Sequence, residues 1–360
     1  MTVDHTLPYL REYKAPNEAI GSSDVIIAYV FTRLIMGDGR KSQPRKRPTR
    51  PIGEISSSAP VKVNDEPVFQ DGMWFIPNPL SSRLYQKSAL GTPVEGGILL
   101  TEEEVMFCHW HRHVPLPENW VEQQMEKDPD FAYRVVAFDV VRKGGEKVVL
   151  QEGKWLRWAR DSHPSIGQPE AEIRWARTSH SLDWNEIIEW VNDVNSRDLI
   201  AELAIVDEEM DVTMYRLSFA DPKGGLTPAK PEDFVNADFS NWPSQSIGFE
   251  HLSQRFLRQD ELDWVEKKNC SVTSLFDELN SRGLLMRPGF KYGCRWRIYS
   301  TPVDVEHAPW LLQMEDDAAS NWEGICLSVR LAEGVNKSWL VALDRGGWSF
   351  LMFRRHLPGR

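Results

Sequence analysis

One segment of this chain occurs twice. Leu203-Ala204-Ile205-Val206-Asp207 reads as a buried strand ending in a turn, and Leu340-Val341-Ala342-Leu343-Asp344 repeats its form 137 positions later. Trp155-Leu156-Arg157-Trp158 and Trp296-Arg297-Ile298-Tyr299 are related in the same way at a separation of 141. A nearly constant offset between well-separated segments predicts one structural unit used twice. Such a unit must fold in both contexts, which restricts the chain more than any single motif.

Each copy is expected to begin with helices and finish with a sheet. Thr101-Glu102-Glu103-Glu104 has the form of a capping box ahead of Val105, Met106 and Phe107. Residues 274–281 are amphipathic and run into Arg282-Gly283, a helix stop. Short apolar strands follow at 284–286, 296–299 and 339–343. The expected fold class is α+β, a tandem repeat of a helical lobe and a mixed-sheet lobe with an extra helical unit at the N-terminus. The expected boundaries are a helical unit at 1–39, a linker at 40–60, a first repeat at 61–226, a linker at 227–245 and a second repeat at 246–360. The first linker is read from its prolines, its basic residues and Ser56-Ser57-Ser58, which cannot bury apolar surface.

A length of 360 residues, with 41% hydrophobic and 11% aromatic content, fits two or three packed domains rather than a disordered chain. The net charge of −11 argues against a nucleic-acid partner only if charge is evenly spread. It is not: Arg40, Lys41, Arg45, Lys46, Arg47 and Arg50 form one basic run, and Arg345, Arg354, Arg355 and Arg360 crowd the end. The longest apolar run, residues 25–36, is interrupted by Thr32 and Arg33 and follows the N-cap cluster Ser22-Ser23-Asp24. It predicts a buried helix rather than a membrane span of roughly 20 residues. Cys108, Cys270, Cys294 and Cys326 form no CxxC pair, so reduced thiols and a cytoplasmic setting without a signal peptide are expected. The run Cys108-His109-Trp110-His111-Arg112-His113 has no second ligand group at zinc spacing and reads as a surface loop after a helix, not a metal site.

Tyr299, His307 and Lys337 in the second half supply the groups for cutting RNA without a metal or cofactor. RNA carries its own nucleophile, the 2′-hydroxyl, beside each phosphodiester. Cleavage then needs a base, an acid for the leaving 5′-oxygen and a cation for the charge that builds on phosphorus. Histidine titrates near neutrality and suits the acid. Lysine is the cation, and its charge favours the ionised form of a tyrosine acting as base. Taken singly, Tyr299 reads as packing, His307 as an ordinary exposed imidazole and Lys337 as a solvated charge. Order, spacing and flanking residues carry the inference.

The stretch Gly289-Phe290-Lys291-Tyr292-Gly293-Cys294-Arg295-Trp296-Arg297-Ile298-Tyr299, with Glu306-His307 and residues 328–337 after it, resembles the catalytic domain of the archaeal tRNA-splicing endonucleases. The resemblance implies a tRNA-intron endonuclease fold and excision of introns from precursor tRNA at bulge-helix-bulge motifs. The expected ends are a 2′,3′-cyclic phosphate and a 5′-hydroxyl. It places the family's catalytic residues on Tyr299, His307 and Lys337. Arginines that clamp a bulge base fall on Arg330 and on Arg354, with Arg355 as the alternative. The family's Lys-Phe-Gly-x-Asp-Phe pattern appears here as Lys291-Tyr292-Gly293-Cys294-Arg295-Trp296, and its Arg-Lys as Asn336-Lys337.

The first half lacks the triad, with Trp158 at the position of Tyr299 and Ile200 opposite Lys337 at the 137-residue offset. It carries instead an acidic turn of Asp207, Glu208, Glu209 and Asp211, which composition alone reads as a solvated hairpin. The resemblance implies that this turn docks on a second chain to give a homodimer, and the N-terminal unit is similar to that of the family's three-unit form. No membrane and no DNA partner is expected. The competing readings are a non-catalytic RNA-binding subunit and a metal-dependent DNA nuclease, for which the second half offers only Glu315, Asp316 and Asp317.

Overall fold

A computed structural model describes residues 68–357 apart from 71, 72, 152 and 239. The expected helical unit at 1–39, the linker at 40–60 with its basic run, and Arg360 lie outside the described residues. Among the described residues, eight α-helices and sixteen strands stand in order. No helix among the described residues is long and apolar enough to cross a membrane.

The described residues start in a small sheet that sequence reading did not anticipate. Strands β1 (Val68–Gln70), β2 (Met73–Pro77), β3 (Thr92–Val94) and β4 (Gly97–Leu100) pair in the order β1-β2-β4-β3, with helix α1 (Leu80–Ser88) between β2 and β3. Helices α2 (Glu102–Arg112), α3 (Trp120–Lys127) and α4 (Phe131–Lys143) follow. The predicted capping box forms: the Thr101 side chain accepts from the Glu104 amide and the Glu104 carboxylate from the Thr101 amide. The Cys108–Arg112 run, expected in a loop, is the last part of α2, because the apolar face of that helix continues through buried Cys108.

Next come β5 (Lys147–Gln151), β6 (Lys154–Trp158), β7 (Ala171–Arg177), helix α5 (Trp184–Ser196), β8 (Ile200–Val206) and β9 (Val212–Ala220). A hairpin, β10 (Phe249–His251) and β11 (Gln254–Phe256), leads to helices α6 (Gln259–Val265) and α7 (Ser271–Ser281). The chain ends in β12 (Leu285–Pro288), β13 (Trp296–Tyr299), β14 (Trp310–Met314), helix α8 (Trp322–Glu333), β15 (Ser338–Asp344) and β16 (Trp348–His356). Helix α7 starts three residues earlier than its apolar pattern suggested, capped through Thr273.

Ten of these strands form one mixed sheet in the order β12-β13-β14-β15-β16-β9-β8-β7-β6-β5. Read inward from either edge, the pairing is the same: antiparallel, antiparallel, parallel, antiparallel. A parallel pair needs a crossover, and α5 and α8 supply the two. Both are capped by side chains, Asp183 on the amides of Asn185 and Glu186, and Asn321 on that of Gly324. The two runs of strands meet where β9 and β16 pair antiparallel, with Leu217 opposite Phe353.

One face of the sheet packs on α5 and α8 through Leu203, Ile205, Val341, Leu343, Leu351 and Phe353. On the other face, Ala204 and Val206 join a core with Phe131 and Phe138, whereas Leu340 and Ala342 join one with Trp264 and Phe276. This alternation corrects the offset of 137. Leu203 and Leu340 face opposite sides of the sheet, and an odd slip turns every side chain to the wrong face. The backbone gives 138: Lys337 N donates to Ala332 O as Leu199 N does to Val194 O. Leu199, not Ile200, therefore stands opposite Lys337.

A further correspondence escaped the sequence reading. Glu104 is buried and accepts from Gly91 N at 2.8 Å as well as from Thr101 N. Buried Glu261 likewise accepts from Gly248 N at 3.0 Å and Arg258 N at 2.8 Å. In each case a carboxylate fastens the preceding hairpin to the helix it begins. Residues 227–245, expected as a linker, pack into the second core through Phe234 and Trp242, whose ring centres lie 5.3 Å apart.

Burial raises the Glu104 carboxyl from an ordinary 4.5 to about 7, against hydrogen bonds and the Arg142 charge that lower it. The native state therefore holds a proton that the unfolded chain has already shed between these values. Stability from this group is full below pH about 4.5 and is lost as pH rises through about 7. Glu104→Gln should flatten that part of the decline, read as urea midpoints measured across the interval.

Candidate active site

Three backbone segments converge where β13 ends. Tyr299 closes β13 opposite Leu285, is 5% exposed, and packs against Leu285, Ala308 and Leu226. Its ring thus rests on the loop that carries His307. Lys337 reaches the same loop from the other side, its Nζ donating to Ala308 O at 2.5 Å. Asn336, in left-handed conformation with φ 57°, turns the chain after α8 so that Lys337 leads into β15. Ser338 N then donates to Pro309 O at 3.0 Å. Ala308 is the hub: its side chain touches Tyr299, its carbonyl holds Lys337, and His307 is its neighbour.

His307 is exposed and forms no hydrogen bond or ion pair among the described residues. A free imidazole suits proton transfer to an incoming substrate. The Lys337 ammonium lies below its usual range, chiefly because it is partly buried, with Arg297 pushing the same way and Tyr292 opposing. Neither Tyr292 nor Arg297 was chosen from the sequence. The Arg297 guanidinium lies 6.0 Å from the Tyr292 ring centre and 5.8 Å from that of Tyr299.

A third element comes from the first half. After β9 the chain runs behind Tyr299: Gly224 N donates to Arg282 O at 3.0 Å, Gly225 N to Ser300 O at 2.9 Å and Leu226 N to Gly283 O at 3.1 Å. A Cβ on Gly224 would fall 2.1 Å from Gly283 O and 3.0 Å from Ser300 O. Only glycine permits this approach.

The arginines divide between the faces of the sheet. Arg330 on α8 is exposed. Arg355 follows Phe353 on the face that α8 covers, and its amide donates to Glu333 Oε1 at 2.8 Å. The charges of Arg330 and Arg355 both act on the phenol of Tyr215, although burial and Cys326 push that phenol strongly up. Arg354 pairs with Arg216 across β9 and β16 and points the other way. The alternative Arg355 thus neighbours Arg330, and Arg354 does not.

In the acidic turn, Asp207 Oδ1 accepts from the amides of Glu209 and Asp211, and Met210, in left-handed conformation, is buried in the first core. Glu208 and Glu209 are left exposed at the tip. In the first half, the Trp158 indole donates to Gly167 O at 2.8 Å, and Leu199 stands where Lys337 would be. In the α2 run, His109 Nδ1 lies 2.9 Å from Val114 O and His111 pairs with Asp139. No group of three or more His, Cys, Asp or Glu side chains is placed to hold a metal among the described residues.

Comparison with known proteins bears on this geometry directly. Residues 271–348 match the family described as tRNA intron endonuclease, catalytic C-terminal domain. That segment holds Tyr299, His307, Arg330 and Lys337. Residues 271–348 are thus a tRNA intron endonuclease catalytic-domain segment. It is 30% identical over 162 residues to the tRNA-splicing endonuclease of Thermoplasma volcanium, a match spanning 42% of this chain and 53% of that protein. It is 21% identical over 319 residues to the tRNA-splicing endonuclease of Methanosarcina acetivorans, across 73% of this chain and 91% of that one. The corresponding protein of Methanococcoides burtonii is 21% identical over 320 residues, with the same two shares. The long matches span 73% of this chain, so likeness to these proteins is not confined to residues 271–348.

Gly224→Ala should lose about 1–3 kcal/mol, read as a lower thermal midpoint. Gly225→Ala, whose new Cβ meets nothing within 4 Å, should leave it unchanged apart from backbone preference.

Proposed function

We propose that the chain excises introns from precursor tRNA, cutting within bulge-helix-bulge motifs without a metal or cofactor. The 2′-oxygen attacks the adjacent phosphorus as its proton passes to Tyr299. The bond from phosphorus to the 5′-oxygen breaks, and that oxygen takes a proton from His307. The products are a 2′,3′-cyclic phosphate and a 5′-hydroxyl. Lys337 faces the negative charge that develops between these events. The observation that carries the reading is the convergence on Ala308, which ties the Tyr299 ring and the Lys337 ammonium to the residue next to a free histidine.

We further infer that the two halves are one unit used twice, the second cutting and the first supporting it. The mirrored strand order and the paired Glu104 and Glu261 contacts favour this division. Arg330 and Arg355 are the pair to clamp an extruded base between guanidinium planes, since they share a face. The acting form is a homodimer in the cytoplasm. The turn of Asp207, Glu208, Glu209 and Asp211, held by Met210, meets the cutting half of a second chain, and two sites then address two splice junctions.

End-group analysis of fragments from a bulge-helix-bulge precursor should show cyclic phosphates, formed equally well in EDTA and absent when the nucleophilic ribose is 2′-deoxy. His307→Ala should cut about 10²- to 10⁴-fold more slowly in single turnover while binding precursor as tightly as before. An equal loss of binding would remove His307 from proton transfer. Reversing the charges of Asp207, Glu208 and Asp211 should give monomers by light scattering, and an unchanged dimer would refute the docking role.

A further inference from the structure

Arg287 and Arg297 stand directly opposite each other on β12 and β13. Two like charges at one register position repel. Arg287 has partners: its Nη1 donates to Ser246 O at 3.0 Å and Met286 O at 3.1 Å and lies 3.8 Å from the Glu261 carboxylate. Arg297 has much less. Its Nε donates to Pro288 O at 3.0 Å, and it forms no ion pair among the described residues. Its charge acts on Arg287, Cys294 and Lys337, and its guanidinium lies near the rings of Tyr292 and Tyr299. Burial lowers Arg287 to about 10, with Arg258 and Arg297 acting in the same direction and Glu261 opposing. Half-buried cations packed this way need a counter-charge, and among the described residues only Glu261 lies within ion-pair distance of either arginine, beside Arg287.

The first half provides an internal control. Its strands β5 and β6 pair in the same register, and the positions of Arg287 and Arg297 are taken there by Val149 and Leu156, also directly opposite each other. The half without Tyr299 and Lys337 thus has an ordinary apolar pair where the half with them has two guanidinium groups. Scaffold requirements do not explain the arginines.

We propose that Arg297 is a second cation of the cleavage site, binding with Lys337 the non-bridging oxygens of the scissile phosphodiester. This rests on the RNA-cleaving reading above. A guanidinium offers a planar fork of donors that matches two phosphate oxygens, whereas the Lys337 ammonium is a point charge. Arg297 transfers no proton and forms no bond. It balances charge while the 2′-oxygen enters and the 5′-oxygen leaves.

The test uses full-length protein and a bulge-helix-bulge precursor carrying a single phosphorothioate of defined stereochemistry at the cut site. Arg297→Ala should cut the all-oxygen substrate about 10²-fold more slowly in single turnover, with its thermal midpoint kept, and Arg297→Lys should recover part of the rate. Sulfur in place of the contacted oxygen should slow the wild-type protein for one diastereomer and add little to the Arg297→Ala defect. A merely structural arginine would leave the two effects multiplicative. Arg297→Ala cutting within about twofold of wild type, or showing the full thio effect with both diastereomers, would overturn the proposal. If wild-type protein leaves no cyclic phosphate, the fault lies with the cleavage reading rather than with Arg297.

Discussion

The antiparallel pairing of β9 with β16 is the interaction on which the rest of the molecule depends. Without it there would be two five-stranded sheets, each with a long bare edge, the kind of edge that recruits foreign strands. With it, the unit is a single twisted surface buried on both faces. Leu217 and Phe353 pair at its centre. The same junction is fastened elsewhere: Leu182 N donates to Ser320 O, Glu323 N to Thr178 O, and Arg345 reaches both Glu315 and Asn185. The start of each crossover helix is thus held by the loop that precedes the other.

Beneath this shared plan the halves differ in what they bury. Arg157, nearly inaccessible, lies 2.8 Å from Glu202 and 3.1 Å from each of Glu146 and Glu170, and Glu202 also meets Arg216. The matching positions in the second half are Ile298 and Leu340, both in an apolar core. A buried ion cluster is weak support for stability, because desolvation consumes much of its Coulomb attraction. It is demanding in geometry, however, and it ties the first half to the seam through Arg216, which lies 3.2 Å from His356 on β16. The second half instead keeps Arg287, Arg297 and Lys337 partly buried near Tyr299.

Apolar runs made the strands legible: Leu203 to Val206 and Leu340 to Leu343 are too short and too continuous for anything but sheet interior. Such continuity also hid their register, because a strand buried on both faces has no alternation to count, and the odd offset followed. Helix α2 was misplaced at its end because histidines read as polar while Cys108 continued the buried stripe. Tyr299, His307 and Lys337 are singled out together by order, spacing, flanking residues and the resemblance, and the fold brings Tyr299 and Lys337 to the loop that carries His307. Arg297 was not legible, since one arginine in a strand has no signature until its opposite neighbour on β12 is known. Gly224 was equally silent, because its requirement is set by Gly283 and Ser300, dozens of residues away.

The connector behind Tyr299 has a consequence for how a chain of this kind can be divided. Residues 224–226 are bonded to the backbone at Arg282, Gly283 and Ser300, so the wall of the cutting site is supplied by the segment that leaves the first half. A gene split at that junction would have to leave this short glycine segment at the head of the second product. A break placed a few residues later would give a second half with its chemical groups intact and an unsupported tyrosine. The structural junction between the two halves therefore falls near the end of β9, earlier than the linker expected at 227–245.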